Sequence, residues 1–171
     1  MKKHLLNILL LTAIFGFYAC TDHDQDPLSE IDRTFMISAA DGNLFEIRSG
    51  EIASQKAMND SVRAYGAHMV MDHSMATQEL MALAAKKKMM LPTDLSPAKK
   101  MKVDSLNALS GMAFDTTYMS MMVVSHVETV ALFEHEASNG VDQEIKSWAA
   151  SKLPTLKHHL EEAKQLKAAL K

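Results

Sequence analysis

Apolar residues in this chain recur at steps of three and four over long stretches, with polar residues between them. The clearest stretch runs from Phe114 to Gly140. There Met119, Met122, His126, Val130, Phe133 and Ala137 fall on one face of a helix, the face that turns toward a core. Asp115 is placed to cap its start, and Asn139-Gly140 to end it in a left-handed stop. Glu128, Glu134 and Glu136 belong to the wet side or its boundary. A first helix is predicted over residues 29–57, opened by a Ser29/Asp32 capping box. Its apolar side is Ile31, Phe35, Ala39, Phe45, Ile52 and Ala53. Gly42, Glu46 and Gly50 share a face. Two glycines inside a helix make sense where another backbone comes close, which would draw Glu46 into a tight helix contact. The alternative is a break at Asp41-Gly42-Asn43 that leaves Glu46 exposed.

A second helix is predicted from Asn59 or Asp60 to Lys88. Val62, Gly66, Met69, His73, Ala76, Leu80 and Leu83 form a bundle seam, and Lys86 to Lys88 suit the negative end of the dipole. Residues 89–113 read as a crossover. Pro92 breaks the chain, Ser96-Pro97 starts a short helix that reaches Ser110, and Gly111 ends it. A crossover of this length can return the chain to the far end, so that helices two and four are parallel neighbours. The last helix covers residues 142–170, with Ile145, Ala149, Leu156, His159, Ala163, Leu166 and Leu170 on one side. Pro154 should kink it and deprive the Ala150 carbonyl of its helical partner. Alternating β-type runs are absent. The pattern describes an all-α domain, a four-helix bundle with a short crossover helix.

Composition adds an address. Lys2 and Lys3 precede an apolar run from Leu5 to Ala19, and the only cysteine, Cys20, follows at once. A basic start, a short apolar run and a small residue before the cut describe a secretory signal over residues 1–19. One cysteine permits no internal disulfide. Phe17-Tyr18-Ala19-Cys20 resembles the lipobox of bacterial lipoproteins, though without the usual Leu three places before the cysteine. The resemblance implies that Cys20 is acylated and anchors the chain to a membrane, with plain secretion as the alternative. Residues 20–28 then form a lipidated cysteine and an acidic tether. Lipoprotein sorting rules imply the outer membrane, since Thr follows Cys20; the acids behind it resemble tags for display at the cell surface. The remaining 29–171 is the size of one domain. The formal charge is −3, and loss of Lys2 and Lys3 with a leader takes it to about −5. Nothing here is a nucleic-acid footprint.

Candidate chemistry lies in the middle of the bundle. Glu46, His73, His126 and His159 come from four helices, each near its midpoint, so all four can share one layer. Asp72 and Asp115 are candidate acceptors behind the imidazoles. The plainer reading is a buried His–Glu–Asp network with a structural role. The sharper one is a single zinc, iron or manganese ion held by three histidines and a carboxylate. Met69, Met71, Met75, Met119, Met121 and Met122 crowd near His68, His73 and His126, and thioether with imidazole also suits copper. Methionine as core filler explains them equally. Tyr65, Met69, Val70 and His73 are echoed by Tyr118, Met122, Val123 and His126, as in a fold of two similar helical pairs. Phosphate-binding loops, nucleophile elbows and zinc-finger spacings are absent.

Phe35…Ala39-Ala40…Glu46…Gly50, Met69…Asp72-His73, Phe114-Asp115…Tyr118…His126 and Leu153-Pro154…His159-Leu160 together resemble domain-of-unknown-function family 4142. The resemblance spans about Asp32 to Leu166. It implies an exported bacterial protein of the outer membrane with a ferritin-like fold, and no particular activity. Di-iron bundles of that fold use paired Glu-x-x-His motifs, and this chain has none. A di-iron centre is therefore not expected. Two functions remain: a non-enzymatic envelope protein that binds a ligand or a protein partner, or a mononuclear metal-binding protein using the mid-bundle layer.

Overall fold

Each long apolar face is a helix in the computed structural model, which describes residues 28–170. The signal sequence over 1–19, Cys20 and the tether through Pro27 lie outside the described residues. The helices are α1 (Glu30–Lys56), α2 (Asp60–Lys86), α3 (Pro97–Asn107), α4 (Gly111–Asn139) and α5 (Gln143–Ala169), and no strand occurs among the described residues. Ser29 caps α1 as expected: Asp32 N–H donates to its Oγ at 3.1 Å, and the Oγ–H donates back to Asp32 Oδ2 at 2.8 Å. Asn59 accepts from Ser61 N–H at 2.8 Å, and Asp142 from Glu144 N–H at 3.0 Å, so α2 and α5 are capped in the same way.

Helix α1 runs unbroken through Gly42, and Glu46 is buried. The glycine that meets another backbone is Gly50, opposite Gly66 of α2; Gly42 faces only the end of the Lys99 side chain. Four expectations about turns need correction. Gly111 does not end α3 but begins α4, with φ +58°. Asp115 therefore sits one turn inside α4 and does not cap it. Gly140 has φ −55°, so the left-handed stop expected there is absent, and Lys88, φ 51°, supplies one after α2. Glu136 is buried with its carboxyl against Gly140, not at the wet boundary. Helix α5 continues through Pro154.

Side chains from one helix pair hold the turn of the other. Met58 N–H and Asn59 N–H, in the α1–α2 turn, donate to Asp115 of α4 at 3.0 and 2.7 Å. Val141 N–H and Asp142 N–H, in the α4–α5 turn, donate to Asp32 of α1 at 2.8 and 3.1 Å. Each carboxylate satisfies donors at a helix start, where the dipole favours negative charge. The contacts fix the topology: α1 packs on α2 and α4, and α5 on α4 and α2. Lys87, at the end of α2, binds Asp142 and Glu144 at the start of α5 at 2.7 and 2.8 Å. All four neighbours are thus antiparallel. Helices α2 and α4 are parallel, as expected, but they are diagonal across the bundle and not neighbours. The α2–α5 seam is the thinnest of the four. Helix α3 lies across α1 and α4 with Leu106 buried, and Ser96 N–H donates to Asp41 at 2.8 Å to hold the crossover.

The core has two apolar parts. One gathers Phe45, Tyr65, Met69, Phe114, Tyr118 and Met122. The other gathers Phe35, Met36, Leu80, Phe133, Ile145 and Leu156. Between them along each of the four long helices lies a buried polar residue: Asn43 and Glu46 on α1, His73 on α2, His126 on α4 and His159 on α5.

Candidate metal centre

Three imidazoles meet at the bundle axis. The ring centroids of His73, His126 and His159 are 5.8, 5.8 and 5.5 Å apart, a nearly equilateral triangle. One nitrogen of each ring is fixed from behind. His126 Nδ1–H donates to the Met122 carbonyl at 2.9 Å, His73 Nδ1–H to the Asn43 side-chain carbonyl at 2.9 Å, and His159 Nε2–H to Asp72 Oδ2 at 3.0 Å. These acceptors set the tautomers and leave a lone pair on the opposite nitrogen. Those nitrogens, His73 Nε2, His126 Nε2 and His159 Nδ1, are buried and have no hydrogen-bond partner. The three rings offer ligand atoms within 4.8 Å of one another. Tetrahedral ligation at about 2.0–2.1 Å places nitrogens about 3.3 Å from one another.

Burial favours the neutral form of two of the rings. It pushes His73 well below the usual imidazole range, with His126, His159 and His68 acting in the same direction. Burial and His126 bring His159 down to about 4, against the opposing pull of Asp72. Metal ligation needs this neutral form.

Of the expected residues, the structure brings the three histidines together and places Asp72 behind one of them. Glu46 is in the layer but on the far side of His126. Its Oε1 accepts from Ser125 Oγ–H at 2.5 Å and lies 3.9 Å from His126 Nδ1, the protonated nitrogen. It is not among the groups whose ligand atoms converge; it lies behind the ring. Burial raises its pKa, while His126 and Ser125 oppose the rise. Asp115 lies elsewhere, on α4 with its carboxylate against the α1–α2 turn. Asn43 is the backing residue the sequence reading missed. Asp32 begins α1 as Asp115 begins α4, and Asn43 stands as far beyond Asp32 as His126 stands beyond Asp115; that equivalence was the available signal.

The methionines divide. Met69, Met119 and Met122 are in the apolar core, Met71 is exposed, and Met75 lines a pocket with Asp72, His73, Glu79, Lys152 and His159. The pocket holds about 160 Å³ and lies along the α2–α5 seam. The sequence echo has a geometric result: Tyr65 and Tyr118 meet edge to face at 6.2 Å, as His73 and His126 do at 5.8 Å. The echoed helices are the diagonal ones, so the echo brings like residues together across the axis. It does not mark a repeat of helical pairs.

A family model described as Domain of unknown function (DUF4142) matches residues 19–166. No curated protein matches the sequence. Two solved structures share the fold. A DUF305 fragment from Deinococcus radiodurans has a TM-score of 0.74 at 11% identity, covering 84% of this chain and 99% of its own. A protein from Streptomyces coelicolor, provisionally described as a secreted protein, DUF305, has a TM-score of 0.70 at 11% identity, covering 82% of this chain and 92% of its own.

Proposed function

The chain belongs to the family described as Domain of unknown function (DUF4142), and because that description assigns no chemistry, we propose from the bundle itself that the protein binds one transition-metal ion at its axis. His73 Nε2, His126 Nε2 and His159 Nδ1 are the ligands. Asn43, the Met122 carbonyl and Asp72 orient the rings, and Glu46 lies behind His126. The observation that supports this most is the set of three buried, unpartnered nitrogens with the opposite edge of every ring hydrogen-bonded. An all-imidazole set suits zinc, iron or copper better than the harder cations. Three protein ligands leave a fourth position for water or an exchangeable group.

The reading is of a non-enzymatic envelope protein whose ligand is the ion. It is exported by residues 1–19 and anchored in the outer membrane through acylated Cys20. The N-terminal pattern supports export, as does the description of a structural neighbour as secreted. Among the described residues no helix is long and apolar enough to cross a membrane.

The test is metal content of the soluble domain from Thr21 onward, made without a histidine tag and offered iron, zinc, manganese and copper in turn. One retained ion per chain is expected, lost in His73→Ala and His126→Ala. A folded wild-type domain that retains none of the four metals would refute the assignment and leave a structural polar layer, with protein partners as the ligands to seek.

A further inference from the structure

We propose a second, solvent-facing cation site on the α2–α5 seam, formed by His68 and Asp72 with the Glu162 carboxylate on the other edge of the His68 ring, through which ions reach the buried triad. The handover rests on the reading of that triad as an ion site; the seam site itself does not. His68 and Asp72 are one turn apart on α2, and Glu162 is one turn beyond His159 on α5, so the group straddles the thinnest seam of the bundle. His68 Nε2 lies 3.2 Å from Asp72 Oδ2, and His68 Nδ1 lies 3.8 Å from Glu162 Oε2. Glu162 Oε2 is shielded from water and has no hydrogen-bond partner, so an acceptor oxygen at the seam is unspent. His68, Asp72 and His159 also present ligand atoms within 4.8 Å of one another.

Asp72 links the two sites. The same oxygen that faces His68 accepts from His159 Nε2–H at 3.0 Å. The other nitrogen of that ring faces the triad. An ion held by His68 and Asp72 is therefore one imidazole ring from the buried position. Charge favours cations here. Asp72, Glu79 and Glu162 outnumber Lys152, which is paired with Glu79, and a cleft of one sign raises the local concentration of the opposite ion. The side chains of His68 and Glu162 are each 35% exposed and that of Asp72 17%, against 1% for His159. The gradient runs from water to the axis along one line of ligands.

The test uses cobalt(II), whose visible absorption reports its ligands, with the wild-type domain and a His68→Ala/Glu162→Gln double variant. Both substitutions are at half-exposed side chains outside the triad. The wild type should take one ion that resists brief chelation and a second that exchanges at once. The double variant should lose the fast ion, keep the slow one, and load it more slowly than the wild type. A double variant that titrates and loads like the wild type would overturn the proposal. Loss of the fast ion with unchanged loading would keep the seam site and overturn the handover. A wild type that holds only the fast ion, lost in the double variant, would refute the triad and the handover and leave the seam site standing.

Discussion

Alanine at Gly66 should weaken the fold, and alanine at Gly42 should strengthen it. Both glycines are inside helices, and on propensity alone each substitution gains about 1 kcal/mol. What differs is the space. A Cβ on Gly42 would find only Lys99 Nζ, at 3.7 Å, the movable end of a long side chain. A Cβ on Gly66 would lie 2.8 Å from Ala53 Cβ, 2.9 Å from Ser54 N and 3.0 Å from Gly50 O. None of these can swing away, so α1 and α2 must separate by about half an ångström. Overpacking of that kind costs about 1–3 kcal/mol, sometimes more. Because all three contacts are rigid, the upper half of that range applies, and the propensity gain leaves a net loss of about 1–2 kcal/mol. Gly50→Ala should behave like Gly66→Ala, since its Cβ would sit 2.7 Å from Gly66 O. Urea denaturation followed by far-ultraviolet circular dichroism separates the cases by midpoint at unchanged slope. The spread between Gly42→Ala and Gly66→Ala should be about 2–3 kcal/mol. A Gly66→Ala protein as stable as Gly42→Ala would refute the close crossing. The crossing also sets the distance between Asn43 on α1 and His73 on α2. Gly66→Ala should therefore loosen metal retention, and Gly42→Ala should not.

Glu136 gives a pH signature. Burial, helped by the Asp32 carboxylate, pushes its carboxyl up to about 7 from an ordinary 4.5. A raised carboxyl means that the folded state holds the proton more tightly. Its contribution is full below the unfolded pKa, declines as pH rises toward 7, and is gone above it, at about 1.4 kcal/mol for each tenfold difference in proton affinity between the folded and unfolded chain. Glu136→Gln, neutral at every pH, should raise the melting temperature at pH 8 and change it little at pH 4; equal effects at both would refute the assignment. Asp115→Ala should cost about 2–4 kcal/mol by chemical denaturation, because two backbone N–H groups of the α1–α2 turn lose a charged acceptor; a loss under 1 kcal/mol would remove Asp115 from that role. A bound ion at a hundredfold excess over its Kd should stabilise the domain by about 2.7 kcal/mol. That thermal shift should vanish in His126→Ala and persist in His158→Ala, whose ring is exposed.

Features set by neighbours in the sequence were legible in it. The helical faces are repeated over many turns, so the helices stand where the pattern puts them; Ser29, Asn59 and Asp142 act within their own first turns and cap where local rules place them. His73, His126 and His159 could be placed together because a histidine on an apolar stripe has to point at the axis. Asp115, Glu136 and Gly140 were misread for one reason. Each looks like a local helix-end residue, and each is governed by a contact that helix-end rules do not contain: Asp115 by Met58 and Asn59, Glu136 by Asp32, Gly140 by the room that the Glu136 carboxyl takes. Asn43 was hidden beside Gly42, where a helix break was the alternative reading. Glu46 was placed in the right layer on the wrong side of a ring, because periodicity fixes the height of a residue and not which edge of its neighbour it meets.

Counting donors separates an ion from the plainer occupant of such a space. His73, His126 and His159 each turn a bare lone pair toward the axis, and their N–H groups are spent on Asn43, the Met122 carbonyl and Asp72. None of the three rings donates to another. A self-contained polar layer would have to supply its own hydrogens, and these rings have none left. One water brings two O–H donors, so it can satisfy two of the three nitrogens and must leave the third unpaired, at a cost of about 1–3 kcal/mol. A cation satisfies all three at once and needs no hydrogen. Protonating a ring would supply a donor, but burial and the neighbouring imidazoles hold His73 and His159 against it. The acceptors behind the rings thus do more than fix orientation. By taking each N–H, they leave the three rings with bare acceptors, which a metal ion satisfies more fully than one water.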